Sequence, residues 1–240
     1  MSFYVYCVVD PIDSLPDETL KGLGQQEVSL LRLAELAVIV SEFAGNTVPV
    51  SEANVIAHQK VIRSLLEVTT PLPFRFGTLV SESQLNSYLS SRQPALLQKL
   101  DDLRGCVEMS VKVIWPTSER PRTVNSEDQH LGSGTAFLAA KKEEIVGDAT
   151  IASKANELLA WLNSHLDNLI RDEQVTLRPR ERLVLAAAHL LERERLPAYK
   201  NGLAVARAER TDLHFLLSGP WPPYSFTNID LEFKSKFGVN

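Results

Sequence analysis

Apolar residues recur along this chain in two rhythms, one of period two and one of helical period. Phe3-Tyr4-Val5-Tyr6-Cys7-Val8-Val9 is a continuous aromatic and β-branched run, the pattern of a buried strand, and Asp10-Pro11 closes it. Residues 28–33 and 36–41 are two more apolar runs separated only by Ala34-Glu35, which predicts a hairpin in spite of an unfavoured turn pair. Over 52–69 the spacing becomes helical: Val55, His58, Ile62, Leu65 and Leu66 share one face, and Ser51 is a suitable N-cap.

The stretch Pro71-Leu72-Pro73-Phe74-Arg75-Phe76-Gly77-Thr78-Leu79-Val80 has strand chemistry between two helical segments. A residue before proline is pushed out of the helical region, and side chains of a strand alternate. Phe74 and Phe76 are therefore expected on one face and Arg75 on the other, with a bend at Gly77. Arg75 is expected to be mostly buried, its donors held by carbonyls or a carboxylate. Ser81-x-x-Gln84 has the capping-box form, opening a short helix through Leu85, Tyr88 and Leu89. Pro94 suits the start of a second helix, with Leu96, Leu97, Leu100 and Leu103 on its buried side and Gly105 at its end.

Val107, Met109, Val111, Val113 and Trp115 alternate with Glu108, Ser110, Lys112 and Ile114, the clearest strand pattern in the chain, stopped by Pro116. Residues 117–131 are polar and aperiodic, as in a mobile loop. Gly132-Ser133-Gly134 then opens a helical stretch expected over 135–172, with Leu138, Ile145, Ala152, Leu159, Leu162, Leu166 and Leu169 in heptad-like rhythm. Strands are expected at 175–178, 183–191 and 212–218, with a charged helix over 192–210 that Pro197 and Gly202 should weaken. From Gly105 onward the order is that of a ferredoxin-like βαββαβ unit. The expected fold class is α+β in two domains: an N-terminal α+β domain over 1–104, and a modified ferredoxin-like domain over 105–240 with a long first helix and a Pro/aromatic tail from about 219.

Composition narrows the function classes. The chain has 240 residues, 44% hydrophobic, enough for one large or two ordinary domains with real cores. A net charge of −5 argues against a general nucleic-acid or anionic-membrane binder. Two distant cysteines, Cys7 and Cys106, have no metal-type spacing and fit a reducing cytoplasm. The Met1-Ser2-Phe3 start has no basic region, so no signal peptide is expected, and no run reaches the ~20 apolar residues of a membrane helix.

The chemistry-bearing residues form no familiar constellation. His58, His130, His165, His189 and His214 sit in no nucleophile-elbow, zinc-helix or CxxC context. His58 is better read as a satisfied structural histidine on a buried stripe. The Gly132–Gly134 cluster lacks the lysine-serine/threonine ending of a P-loop, so it reads as a flexible helix entry. No catalytic residue, metal or cofactor is expected. The last unusual stretch is Ser218-Gly219-Pro220-Trp221-Pro222-Pro223-Tyr224-Ser225-Phe226, in which the prolines impose an extended, polyproline-like path. Its aromatics are expected to pack back onto the chain and pin the tail.

Together these segments resemble the gas vesicle protein F/L family, most of all its cyanobacterial F members. The resemblance rests on Tyr4-Val5-Tyr6, on His58 before an apolar helix, on Leu72-Pro73-Phe74-Arg75-Phe76-Gly77-Thr78, on Gly105-Cys106-Val107-Glu108 before Val111-Lys112-Val113, and on Gly219 to Phe226. It runs from residue 4 to 226, and departs where Met109-Ser110 stands in place of a frequent Trp-Gly. It implies two α+β domains, the second ferredoxin-like, and an accessory or minor structural protein of the gas vesicle, a hollow protein organelle of prokaryotes. Such a protein would be cytoplasmic and vesicle-associated. It would contact the major shell protein, and other accessory proteins, keeping the shell protein from aggregating during nucleation. The motif residues Pro73, Arg75, Phe76, Gly77, Thr78, Gly219, Pro220, Trp221, Pro222, Pro223 and Tyr224 would then serve structure or partner binding. The competing expectations are a ligand-binding or enzymatic ferredoxin-like protein and an RNA binder using the sheet. The acidic charge and the missing aromatic RNA-binding pattern disfavour the last.

Overall fold

The computed structural model describes residues 2–17, 19–33, 35–114, 152–177 and 183–227. They divide into two units, Met1–Glu108 together with the chain from Pro220, and Met109–Gly219. The described part of the tail, residues 220–227, expected with the second domain, groups with the first unit.

Strand β1 (Ser2–Val9) organises the first unit, and from Tyr4 onward every one of its residues is buried. It runs antiparallel to β3 (Leu36–Phe43), which in turn pairs with β2 (Val28–Leu33) in the expected hairpin, closing at Leu33↔Leu36. On its other side β1 pairs with two short pieces of the proline-bracketed stretch, β4 (Leu72–Pro73) and β5 (Leu79–Ser81). The β1–β3 register shifts between Val5 and Cys7. A bulge of this kind changes the phase of alternation, and so Tyr4, Tyr6, Cys7 and Val9 all enter one core cluster.

Helix α1 (Glu52–Leu66) is capped by the Ser51 side chain, which accepts from Asn54 N, and it lends Val61, Ile62 and Leu65 to that cluster. Helix α2 (Glu82–Leu103) starts with the expected capping box at Ser81 and Gln84. It is one helix rather than two, with Pro94 inside it. Leu85, Leu89, Leu96, Leu100 and Leu103 form one buried stripe that continues across the proline. Pro94 and Ser90 are exposed, so the Ser90 carbonyl that loses its helical partner faces water. Gly105 follows the helix at φ 72°, the left-handed position expected of it.

In the second unit, β6 (Cys106–Ile114), β7 (Asp172–Leu177), β8 (Leu183–Glu192) and β9 (His214–Trp221) form a sheet of order β7-β8-β6-β9. The unit boundary falls within β6 and β9. Helix α3 is described over residues 152–166 and ends there, short of the expected 172, with Asn168 at φ 60°. Its buried stripe is Ala155, Leu158, Leu162 and Leu166, one step out of phase with the expected Ala152 and Leu159. Helix α4 (Leu196–Glu209) carries Pro197 in its first turn, where a missing N–H costs nothing. Gly202 does not weaken it but permits close packing: a Cβ there would lie 2.5 Å from the His165 carbonyl oxygen of α3. The expected features at Trp115 and Pro116, the 117–131 loop, the Gly132–Gly134 helix entry, Leu138 and Ile145 lie outside the described residues.

Among the described residues no helix is long and apolar enough to cross a membrane.

Candidate functional site

The motif residues of the first unit are built around two tyrosines of β1. The Tyr4 hydroxyl lies 2.8 Å from His58 Nδ1 and accepts from Gly77 N at 3.3 Å. Which of the Tyr4 hydroxyl and His58 Nδ1 donates to the other follows from the His58 tautomer. Burial drives the His58 pKa down to about 4, against a smaller opposing pull from the Phe74 backbone, so the ring is neutral at pH 7. The Tyr6 hydroxyl accepts from Leu23 N at 2.9 Å and lies 3.1 Å from Ser41 Oγ. Burial raises both phenol pKa values. The two tyrosine hydroxyls are hydrogen-bonded, but the histidine is not fully satisfied as expected: His58 Nε2 is buried without a hydrogen-bond partner among the described residues.

The proline-bracketed stretch is not a continuous strand. After Leu72-Pro73, where Pro73 is opposite Cys7, the chain turns through 74–78 before β5 begins. Phe74 N donates to the Tyr6 carbonyl at 2.8 Å, and Val5 N donates to the Thr78 carbonyl at 3.1 Å. Thr78 folds back on the turn, its N and Oγ1 donating to the Arg75 carbonyl at 3.2 and 2.7 Å. Gly77 takes φ 87°, a conformation that a side chain would strain. The two phenylalanines therefore do not share a face. Phe74 meets Tyr88 of α2, while Phe76 sits edge-on to Tyr4 and His58.

The expected burial of Arg75 is also overturned: it is exposed at the turn. The turn's hydrogen bonds run through backbone, Thr78 and Tyr4, and none uses the guanidinium. Among the described residues that group has no hydrogen bond or ion pair.

The second motif segment follows a path only partly as expected. Gly219, Pro220 and Trp221 continue β9 as strand rather than polyproline, which an edge position allows. Pro222 and Pro223 are buried, and Tyr224–Phe226 closes into a 3-10 turn. Its anchor is Glu108, a residue that the alternation of β6 gives no reason to single out. Ser225 N donates to Glu108 Oε2 at 2.8 Å and Ser225 Oγ to Oε1 at 2.9 Å. Burial raises the Glu108 pKa, and the two Ser225 bonds oppose the rise. Phe226 is 3% exposed, whereas Tyr224 keeps 38% of its surface in solvent.

The second unit repeats the tyrosine–histidine device. His189 of β8 is fully buried, with Nδ1 2.7 Å from the Tyr199 hydroxyl of α4, and burial lowers its pKa to about 4. His165 lies beside neither Asp167 nor Asp172; its Nε2 lies 3.0 Å from Glu209, and its ring stands against Trp161. His214 is exposed on β9, and His130 lies outside the described residues. Among the described residues no group of three or more His, Cys, Asp or Glu assembles in a metal-holding arrangement.

A sequence model described as gas vesicle synthesis protein GvpL/GvpF matches residues 2–228. The chain is 26% identical to gas vesicle protein L2 of Halobacterium salinarum, over 93% of this chain and 90% of that protein. It is 23% identical to gas vesicle protein F1 of the same organism, over 99% and 98%. It is 22% identical to gas vesicle protein F of Dolichospermum flosaquae, over 88% and 91%. Among solved structures, the gas vesicle protein GvpF of an Anabaena species superimposes with a TM-score of 0.80 at 21% identity, covering 95% of this chain and 96% of that one. GvpF of Microcystis aeruginosa gives 0.78 at 18%, over 95% and 99%. At such identities the structural likeness speaks for the mixed α+β fold with its two antiparallel sheets.

Proposed function

The chain belongs to the gas vesicle synthesis protein GvpL/GvpF family, and from that premise we propose that it is a non-enzymatic assembly factor of the gas vesicle. It binds the major shell protein reversibly in the cytoplasm and keeps it from aggregating before it joins the growing wall. Other accessory proteins of the vesicle are its further partners. The observation that carries this reading is the extent of the family match, residues 2–228, rather than any one motif.

The physics is that of a subunit with a broad apolar face, which self-associates in water unless something covers it. A chain of net charge −5 stays soluble while doing so. The α3 face that the heptad-like rhythm offers for such a role is used within the protein, since Leu158, Leu162 and Leu166 are buried. Exposed apolar side chains lie elsewhere, among them Val50 just before α1 and Ile56 within it. The second unit belongs, in this proposal, to the ferredoxin-like class. The element order β6, α3, β7, β8, α4, β9 and the sheet order β7-β8-β6-β9 support that assignment. No observation favours the ligand-binding or enzymatic alternative.

The test is to express the shell protein with and without this chain and to measure its soluble fraction and co-purification. A larger soluble fraction with this chain bound is expected. Unchanged solubility together with no co-purification overturns the proposal.

A further inference from the structure

We propose that His189, Glu173 and Asn163 form a binding site for one divalent transition-metal ion inside the second unit, with Tyr199 orienting the histidine. The site does not depend on the assembly reading above, and it uses none of the first unit's motif residues.

The four residues come from four elements. Glu173 of β7 and His189 of β8 are direct partners in the antiparallel register, so their side chains leave the sheet on the same face. His189 Nε2 stands 4.0 Å from Glu173 Oε2. Asn163 of α3 reaches the same carboxylate, its Nδ2 donating to Oε2 at 3.2 Å and to Oε1 at 3.4 Å. Tyr199 of α4 holds the other side of the ring, its hydroxyl 2.7 Å from His189 Nδ1. His189 is fully buried, yet its Nε2 has no hydrogen-bond partner among the described residues, and neither has the buried Oδ1 of Asn163. Buried polar atoms are normally paired. Here two that are not belong to residues gathered around one carboxylate, and they mark a place for a ligand.

The donor set selects the ligand. With Nδ1–H donated to the Tyr199 hydroxyl, the ring offers a lone pair at Nε2. Glu173 and the Asn163 Oδ1 offer oxygen lone pairs, and the Asn163 N–H is already turned to Glu173. Three electron-pair donors and a negative charge call for a cation. An imidazole beside oxygen donors suits an ion of the zinc kind, whereas magnesium and calcium prefer oxygen alone. Burial lowers the His189 pKa to about 4, so protons do not compete for Nε2 at pH 7. Tyr199 plays the part of the outer hydrogen-bond partner that fixes a ligating ring. Two ligand atoms on one such ion, each about 2.1 Å from it, lie about 3.0–3.5 Å apart. The Glu173 carboxylate must therefore close by about 0.5–1 Å, which its 38% exposed side chain leaves it free to do. The same exposure gives the ion a way in, and water completes the shell. Once bound, the ion ties the edge strand β7 to β8 and α3.

The experiment strips the full chain with EDTA and titrates it at pH 7 with Zn²⁺ by calorimetry and with Co²⁺ by visible absorption, over a background of Mg²⁺. One ion per chain should bind, and the thermal midpoint should rise with Zn²⁺ because the ion binds the folded state. Asn163→Ala should weaken Zn²⁺ about ten-fold, the usual loss for a supporting group. Glu173→Gln, which removes the charged ligand, should weaken it more than that, and His189→Gln should abolish it. Glu173 is the decisive position, because its partly exposed side chain can be replaced even where loss of the buried ring prevents folding. Glu157→Gln, an exposed carboxylate elsewhere on α3, should change nothing. Absence of binding at millimolar Zn²⁺ overturns the site. So does saturable binding with a midpoint shift that Glu173→Gln leaves unchanged, which would mean an adventitious ion only.

Discussion

His58 and His189 are the places where a single proton acts most directly on this fold. Burial holds both at about 4, below the ordinary histidine value of 6.5, and each ring leans on one tyrosine hydroxyl. Between those two values the unfolded chain binds more protons than the folded one, so this contribution is complete above pH 6.5 and shrinks as the solution becomes acid. By pH 5 the loss is about 2 kcal/mol per histidine, and a urea titration at pH 7 and at pH 5 measures it. Replacing either ring by Gln should lower the midpoint at pH 7 and flatten the pH dependence. A parent midpoint that does not move with pH would show that the rings are not held neutral by burial. The stripe position of His58 was legible from its spacing with Ile62 and Leu65, because helical period is a local property. The exposure of Arg75 was not, because the bonds that aim it come from Tyr4 and Tyr6, some seventy residues earlier in the chain. Glu108 was missed for the same reason: its partner Ser225 arrives 117 residues later.

Among the elements, the helices show where local rules yield to packing. Pro94 reads as a boundary, yet the leucine stripe of α2 continues across it, and burial of that stripe outweighs one lost backbone bond on the wet side. Gly202 reads as a weak point of α4, but it is where α4 closes on the His165 carbonyl. The two rules give opposite signs for Gly202→Ala. Helix propensity alone promises a gain of about 1 kcal/mol. A methyl group 2.5 Å from a backbone oxygen instead forces the helices apart, and overpacking of this kind costs about 1–3 kcal/mol. The substitution should therefore destabilise the protein in a denaturant titration, and a stabilised variant would rule out the close approach. The strands were more legible than the helices. The β2–β3 hairpin and the β6 alternation follow from period two over a few residues, whereas the stop of α3 at residue 166 rests on Asn168 adopting φ 60°.

At the scale of the whole molecule, the chain leaves its first unit through β6 and returns to it through β9, and these two strands are neighbours in one sheet. The second unit is thus an insertion whose ends lie close together, an arrangement that domains tolerate well. The sequence suggested two halves in succession, because nothing local marks residues 220–227 as belonging to the first half. The consequence can be tested with a chain that stops after Gly219. It loses the buried Phe226 and both Ser225 bonds, and it leaves the Glu108 carboxyl without the donors that oppose the rise of its pKa. Each orphaned buried group costs about 1–3 kcal/mol. A carboxyl whose folded pKa is raised favours its neutral form, so its contribution is complete in acid and lost as pH climbs through the raised value. The truncated chain should therefore lose stability more steeply than the parent as pH rises from the carboxylate range toward neutrality. The damage should also be confined. Hydrogen exchange should show β1 amides losing protection while β8 amides keep theirs, because β8 lies in the other unit. Equal loss in both strands, or none in β1, would mean that the tail does not belong to the first unit's core.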